Sequence, residues 1–178
     1  VDPLGLDTAQ RNTAIRKAEE YVTKNPGDSY EWNGKNGPGE GVDCSGLVSQ
    51  CVTAGGEENP NKGNSNGVTN IANNTTAVEI KDAQKGNLIV LNKSKHIVII
   101  TEVIKDKDGN VIGFKFIDSG GKAGSGKSGP RVSTATIDVD YYGKRIDGIY
   151  KWDTKPDVKK KGSRVKSIVE AIFLPFIV

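Results

Sequence analysis

A chain of 178 residues, 35% of them hydrophobic, is of ordinary single-domain size and can bury a core of its own. Its net charge is only +3 and its pI about 8.7, which suits an anionic partner, but no basic patch interleaved with aromatics argues for nucleic acid. No stretch reaches the ~20 apolar residues of a membrane helix, and no charged segment followed by an apolar one opens the chain.

The chain contains no methionine, so it reads as a fragment cut from something longer. From Asp7 or Thr8 to about Lys24, the residues Ala14, Ile15, Ala18, Tyr21 and Val22 recur at helical spacing. Asn25-Pro26-Gly27 ends that pattern, which predicts a first helix. Residues 28–42 carry Gly34, Gly37, Gly39 and Gly41, a loop whose backbone can approach a ligand closely. Tyr30 and Trp32 in this loop either line a substrate cleft or anchor the loop on the core.

A second helix is expected to begin at Cys44. Leu47, Val48, Cys51 and Val52 fall at i, i+1, i+4 and i+5, and Gly55-Gly56 is a stop signal. Asp43 suits the N-cap. A thiol in the first turn feels the positive end of the helix dipole, which favours thiolate over thiol and makes a nucleophile. Cys51 is an unsuitable disulfide partner, because seven helical residues separate the Cα atoms by roughly 10 Å, beyond the ~7 Å a bridge tolerates. It reads as a small core residue. The backbone N–H of Cys44 is the natural oxyanion donor, with Asp43 and Ser45 beside it as substrate contacts; for Asp43 the alternative is an N-cap and nothing more.

Residues 55–77 are polar and rich in Asn and Gly, with a short helix near Ser65 to Ala72 and no evident chemistry. Strands follow at Asn87 to Leu91, Lys95 to Lys105, Val111 to Ile117, Arg131 to Val139 and Lys144 to Trp152, with Asp106-Lys107-Asp108-Gly109-Asn110 as a hairpin loop. Helices first and an antiparallel sheet of about five strands after them predict an α+β domain. His96, the only histidine, heads one of these strands. Imidazole has the pKa to take a proton from a thiol and return it to a leaving amine.

Gly121 to Ser128 matches the phosphate-binding pattern G-x-x-x-x-G-K-[ST], but Gly129-Pro130 and a β-like run follow where such a loop must open into a helix. It reads as a flexible Gly-Ser-Lys loop bordering the cleft. In the tail, Lys159-Lys160-Lys161 and Arg164 precede an apolar run from Val165 to Val178 with Pro175 inside. Fourteen residues are too few to span a bilayer. The alternatives are a helix packed back on the domain and a segment that lies on a membrane or docks in a partner.

The string Asp43-Cys44-Ser45-Gly46-Leu47-Val48 resembles the nucleophile motif of the NlpC-type cell-wall cysteine peptidases, a papain-like family. Tyr30-Glu31-Trp32-Asn33-Gly34 is similar to the aromatic-Gly segment before that nucleophile, Lys85 to Val90 to its Pro-Gly-Asp-Leu-Val strand, and Lys95 to Ile100 to its His-Val-Gly-Ile strand. The resemblance implies a papain-like fold with Cys44 as nucleophile, His96 as base, and roles for Tyr30, Asp43 and Ser45 in reading a peptidoglycan stem peptide. It also implies a third group that orients the imidazole, often His, Asn or Gln. The aligned segment here, Phe116-Ile117-Asp118-Ser119, offers Asp118, or Ser119 if the hairpin register slips by one residue.

Val1-Asp2-Pro3-Leu4-Gly5-Leu6 resembles the Asp-Pro-x-Gly-Leu boundary between the shell of RHS (YD-repeat) proteins and a variable C-terminal toxin domain. That implies a parent RHS shell, cleavage near this motif, a cognate immunity protein, and delivery as an effector to the recipient's periplasm or cell wall. The expected organisation is a boundary remnant at 1–6, a cysteine hydrolase domain at 7–153, and a basic linker with an apolar segment at 154–178. The expected activity is a thiol amidase or endopeptidase on stem peptides, needing no cofactor and no metal. Two alternatives stay open: a papain-like deamidase, acyltransferase or protein peptidase acting on a recipient-cell target, and a non-catalytic membrane-active toxin working through the tail.

Overall fold

The computed structural model describes residues 6–62, 66–121, 128–137 and 146–152. Helices α1 (Leu6–Thr23), α2 (Cys44–Ala54) and α3 (Gly67–Asn73) come first. Strands β1 (Thr76–Val78), β2 (Leu88–Leu91), β3 (His96–Lys105), β4 (Val111–Gly120), β5 (Gly129–Thr136) and β6 (Ile146–Lys151) follow, joined in one sheet in the order β1-β6-β2-β3-β4-β5. Every pairing is antiparallel, so the domain is α+β. The strand beyond the expected five is β1, three residues on the edge beside β6, too short to show a period of two in the sequence. The expectations for residues 1–5, for the loop at 122–127 and for 153–178, including the apolar run at 165–178, lie outside the described residues.

Alternation along the central strands sorts their side chains into two apolar layers. Ile97, Ile99, Ile117, Leu88 and Val90 pack with Ala14, Ala18, Tyr21, Leu47, Val48, Cys51 and Ile71, the buried faces of the three helices. Val98, Ile100, Phe114, Phe116, Ile89 and Leu91 form a second cluster with Ala83 and Ile149. Helix α2 is central: it touches α1, α3, β3 and β4, and Leu47 in it is wholly buried. Truncating such a leucine to alanine costs about 2–5 kcal/mol.

Two glycines hold helix α2 and the sheet edge in place. A Cβ on Gly46 would run into the carbonyl oxygen of Gly34 and against Val42. The 28–42 loop therefore lies directly on the first turn of α2. Gly129 opens β5 at φ 97°, a left-handed conformation natural to glycine, where a Cβ would meet the Ser29 hydroxyl. Asn25 closes the same corner, its amide donating to the carbonyls of Ser128 at 3.3 Å and Pro130 at 2.8 Å. A strand, not a helix, thus follows the Gly-Lys-Ser sequence of the phosphate-loop match.

Candidate active site

The start of α2 is held by Asp43. In extended backbone, it accepts the N–H of Gly46 at 2.6 Å, and its carboxylate also takes the Ser45 hydroxyl at 2.9 Å and the Asn33 N–H at 3.2 Å. This is a full N-cap. Asp43 and Ser45 therefore spend their polar groups largely on each other and on backbone, while still lining the cleft. Ser119 braces the same turn from the sheet: its hydroxyl donates to the carbonyl of Val42 at 2.6 Å.

Cys44 then stands at the head of α2, 9% exposed, whereas Cys51 is wholly enclosed in the core. Both thiols are free. Burial pushes the Cys51 thiol well above the ordinary range. The two cysteines of one helix thus have unlike environments.

The turn before His96 is unusual. Asn92, Lys93 and Ser94 all have positive φ, between 55° and 58°, a left-handed turn that costs a non-glycine residue roughly 1–2 kcal/mol at each position. It is tied down by the Ser94 N–H, which donates to Asp147 of β6 at 3.0 Å. Directly after it, His96 donates from Nε2 to Oδ2 of Asp118 at 3.0 Å. The Cys44 thiol is the imidazole's other hydrogen-bond partner, which leaves Nδ1 as the nitrogen that faces it. Burial alone would push the imidazole's pKa down. Hydrogen bonds to Asp118 and Cys44 outweigh it and raise the pKa to about 9.

Asp118 is completely buried and is met from three sides. Besides His96, the Arg131 guanidinium lies on Oδ2 at 3.2 Å, and the Ser133 hydroxyl donates to Oδ1 at 3.1 Å. Arg131 faces Asp118 across the β4–β5 pair. Ser119, the other expected orienter, is turned to Val42 instead.

The Cys44–His96 pair opens onto a cleft of about 730 Å³. Cys44 and His96 line it, together with Tyr30, Trp32, Asp43 and Ser45. Trp32 is 78% exposed, so it borders the cleft without anchoring its loop on the core. Sequence reasoning missed the opposite wall. The segment at 55–77, read as carrying no chemistry, contributes Asn61, Asn66 and Asn70, and the strained turn contributes Asn92, Ser94 and Lys95. Arg131 and Ser133 were missed as well. Their i, i+2 spacing on an expected strand was visible, but which residues they would face depends on strand register. Among the described residues, no three His, Cys, Asp or Glu side chains converge as a metal site, and no helix is long and apolar enough to cross a membrane.

The NlpC/P60 family model matches residues 27–149, more than half of the chain. The chain belongs to the NlpC/P60 family. Members are generally cysteine peptidases and amidases acting on peptidoglycan. Among solved structures, this NlpC/P60 domain is similar to a lipoprotein-like NLP/P60 protein of Staphylococcus aureus, at a TM-score of 0.56 and 18% identity over 82% of this chain. The match spans 42% of that protein, and at this identity the likeness speaks for the fold. No curated protein matches the chain. Within the family match lie Cys44, His96 and Asp118, as well as Arg131 and Ser133.

Proposed function

We propose that this NlpC/P60 domain is a thiol hydrolase that cuts amide bonds in peptidoglycan stem peptides. The observation that carries the reading is the convergence, at one cleft, of a helix-head thiol, an imidazole in contact with it, and a buried carboxylate behind that imidazole. Cys44 is the nucleophile: its sulfur attacks the carbonyl carbon, and the oxyanion forms beside the backbone N–H at the first turn of α2. His96 gives its proton to the departing amine as the C–N bond breaks, leaving a thioester on Cys44. Water then attacks the thioester with His96 as base, and the acid leaves as the thiol is regenerated. Asp118 holds the ring with Nδ1 toward the sulfur and stabilises its positive charge.

The Asp2-Pro3-Leu4-Gly5-Leu6 string supports placing this activity in an RHS-delivered effector that acts in a recipient's periplasm or cell wall and is countered by an immunity protein. Mass spectrometry of purified peptidoglycan incubated with the protein tests the reading. New free amino groups at one stem-peptide position are expected. Intact muropeptides, with modified cytosolic proteins in a lysate, would turn the reading to an amide in a recipient protein.

A further inference from the structure

Asp118 makes more contacts than an orienting carboxylate requires. Its Oδ2 is shared between His96 Nε2 at 3.0 Å and Arg131 Nη2 at 3.2 Å, while Ser133 takes Oδ1. The second Arg131 nitrogen, Nη1, donates to the carbonyl of Gly121 at 3.0 Å, and Gly121 lines the cleft. The Arg131 side chain is only 18% exposed and that of Asp118 is inaccessible, so this pair is screened far less than a surface pair.

We propose that Arg131 is a positioning residue of the active site: it pins the Asp118 carboxylate against His96, offsets part of its negative charge, and ties the cleft edge at Gly121 to the same guanidinium. The inference rests on Cys44 and His96 being the reacting pair. A lone buried carboxylate would hold the imidazolium so firmly that the ring gives up its proton reluctantly. A cation on the same oxygen weakens that hold while keeping the geometry. Its planar fork suits this, because one nitrogen reaches the carboxylate while the other reaches a carbonyl.

Because His96 is the only histidine, its ring proton signals can be followed by NMR without assignment ambiguity. The full chain carrying Cys44→Ala removes the thiol as a second titrating group. Among the described residues, the other ionisable groups around the ring and cleft are Asp118 from β4, Asp43 before α2, and Tyr30, Lys35 and Lys95 on the cleft wall. In this background, Arg131→Gln is expected to raise the imidazole midpoint by roughly half to one pH unit. Arg131→Lys, which restores the charge, should bring it most of the way back. With Asp118→Asn added, Arg131→Gln should shift the midpoint much less, since Arg131 acts through that carboxylate. Arg131→Met gives the same readout if the Gln variant does not fold. An unchanged or lowered midpoint in a folded neutral variant would overturn the proposal. The titration uses no substrate, so its failure is distinct from a failure to cut peptidoglycan.

Discussion

Ser119 and Val42 are joined by a buried hydrogen bond of 2.6 Å that links the end of β4 to the residue two before Cys44. Asp118, its neighbour, points to the other face of the strand and meets His96. Adjacent residues of one strand thus hold the two halves of the site, one placing helix α2 and the other the imidazole.

This division predicts two different defects. Ser119→Ala removes one buried hydrogen bond and leaves the Val42 carbonyl without its hydroxyl donor, a cost of about 1–2 kcal/mol in stability. Turnover should fall only modestly. Asp118→Ala should cut turnover on the order of 10²-fold, well beyond any effect of Ser119→Ala. Urea denaturation and stem-peptide hydrolysis on both variants check this; equal activity losses would mean that the two residues share one role.

The two cysteines should differ in reactivity. Cys44 opens onto the cleft and touches an imidazole, whereas Cys51 is sealed in the core with its thiol pushed toward the protonated form. Iodoacetamide at neutral pH should label Cys44 first, as read by peptide mass mapping. Cys51→Ala should keep most activity and Cys44→Ala none. Faster labelling of Cys51 would contradict the assignment.

Stability should carry the mark of His96. Its folded pKa of about 9 exceeds the ~6.5 of a free imidazole, so the folded state binds the proton more tightly. That contribution is complete below about pH 6.5, declines as pH rises, and is gone above about 9. The difference in urea midpoint between the native chain and His96→Ala should therefore narrow from pH 6 to pH 9.5. A widening gap would reverse the sign of the argument.

How much of this was legible beforehand depends on how local each signal is. The Cys44 helix could be read because its cap, apolar stripe and glycine stop all lie within a dozen residues, and His96 because no other histidine competes. The partner of His96 depended on register. Counting back from the hairpin at Lys105 and Val111 puts Val98 level with Asp118, yet the ladder slips by one residue between Ile104 and Lys105 and slips again between Ile100 and Glu102. The two shifts cancel, so Ile99 meets Ile117 as the plain count has it. One bulge alone would have presented Ser119. Arg131 and Ser133 lay beyond such counting, because their register against β4 is set after a long glycine-rich connection. The asparagines of the far cleft wall look like ordinary loop polarity until the fold brings them round.

The left-handed turn before His96 offers a test of strain. Lys93, exposed at φ 55°, gains nothing from its side chain that would favour this conformation. Lys93→Gly should raise stability by up to about 1 kcal/mol, the relief of strain being partly offset by the greater freedom of glycine when unfolded. For a domain of this size, that is roughly 2–4 °C in Tm. A fall in Tm by calorimetry would show that the lysine side chain itself holds the turn.

The most discriminating variant is Asp118→Asn. An asparagine retains the size of the carboxylate and can still meet His96, but it brings no charge. In the native site, burial presses the imidazole toward its neutral form, and the bonds to Asp118 and Cys44 overcome that pressure. Without the carboxylate's charge, burial is opposed by less, so the ring must lose its proton at lower pH. The alkaline limit of activity, which in the native protein should lie near the imidazole's pKa of about 9, is therefore expected to move down. Turnover at neutral pH should fall, though less than in Cys44→Ala or Asp118→Ala. The replacement also leaves Arg131 facing an uncharged oxygen, so some loss of stability should accompany it. Measuring the pH profile of kcat/KM separates the two effects, since a merely loosened fold lowers the whole curve without displacing its alkaline limb. A limb that stays in place in a folded Asp118→Asn protein would mean that the carboxylate orients the ring without setting its charge.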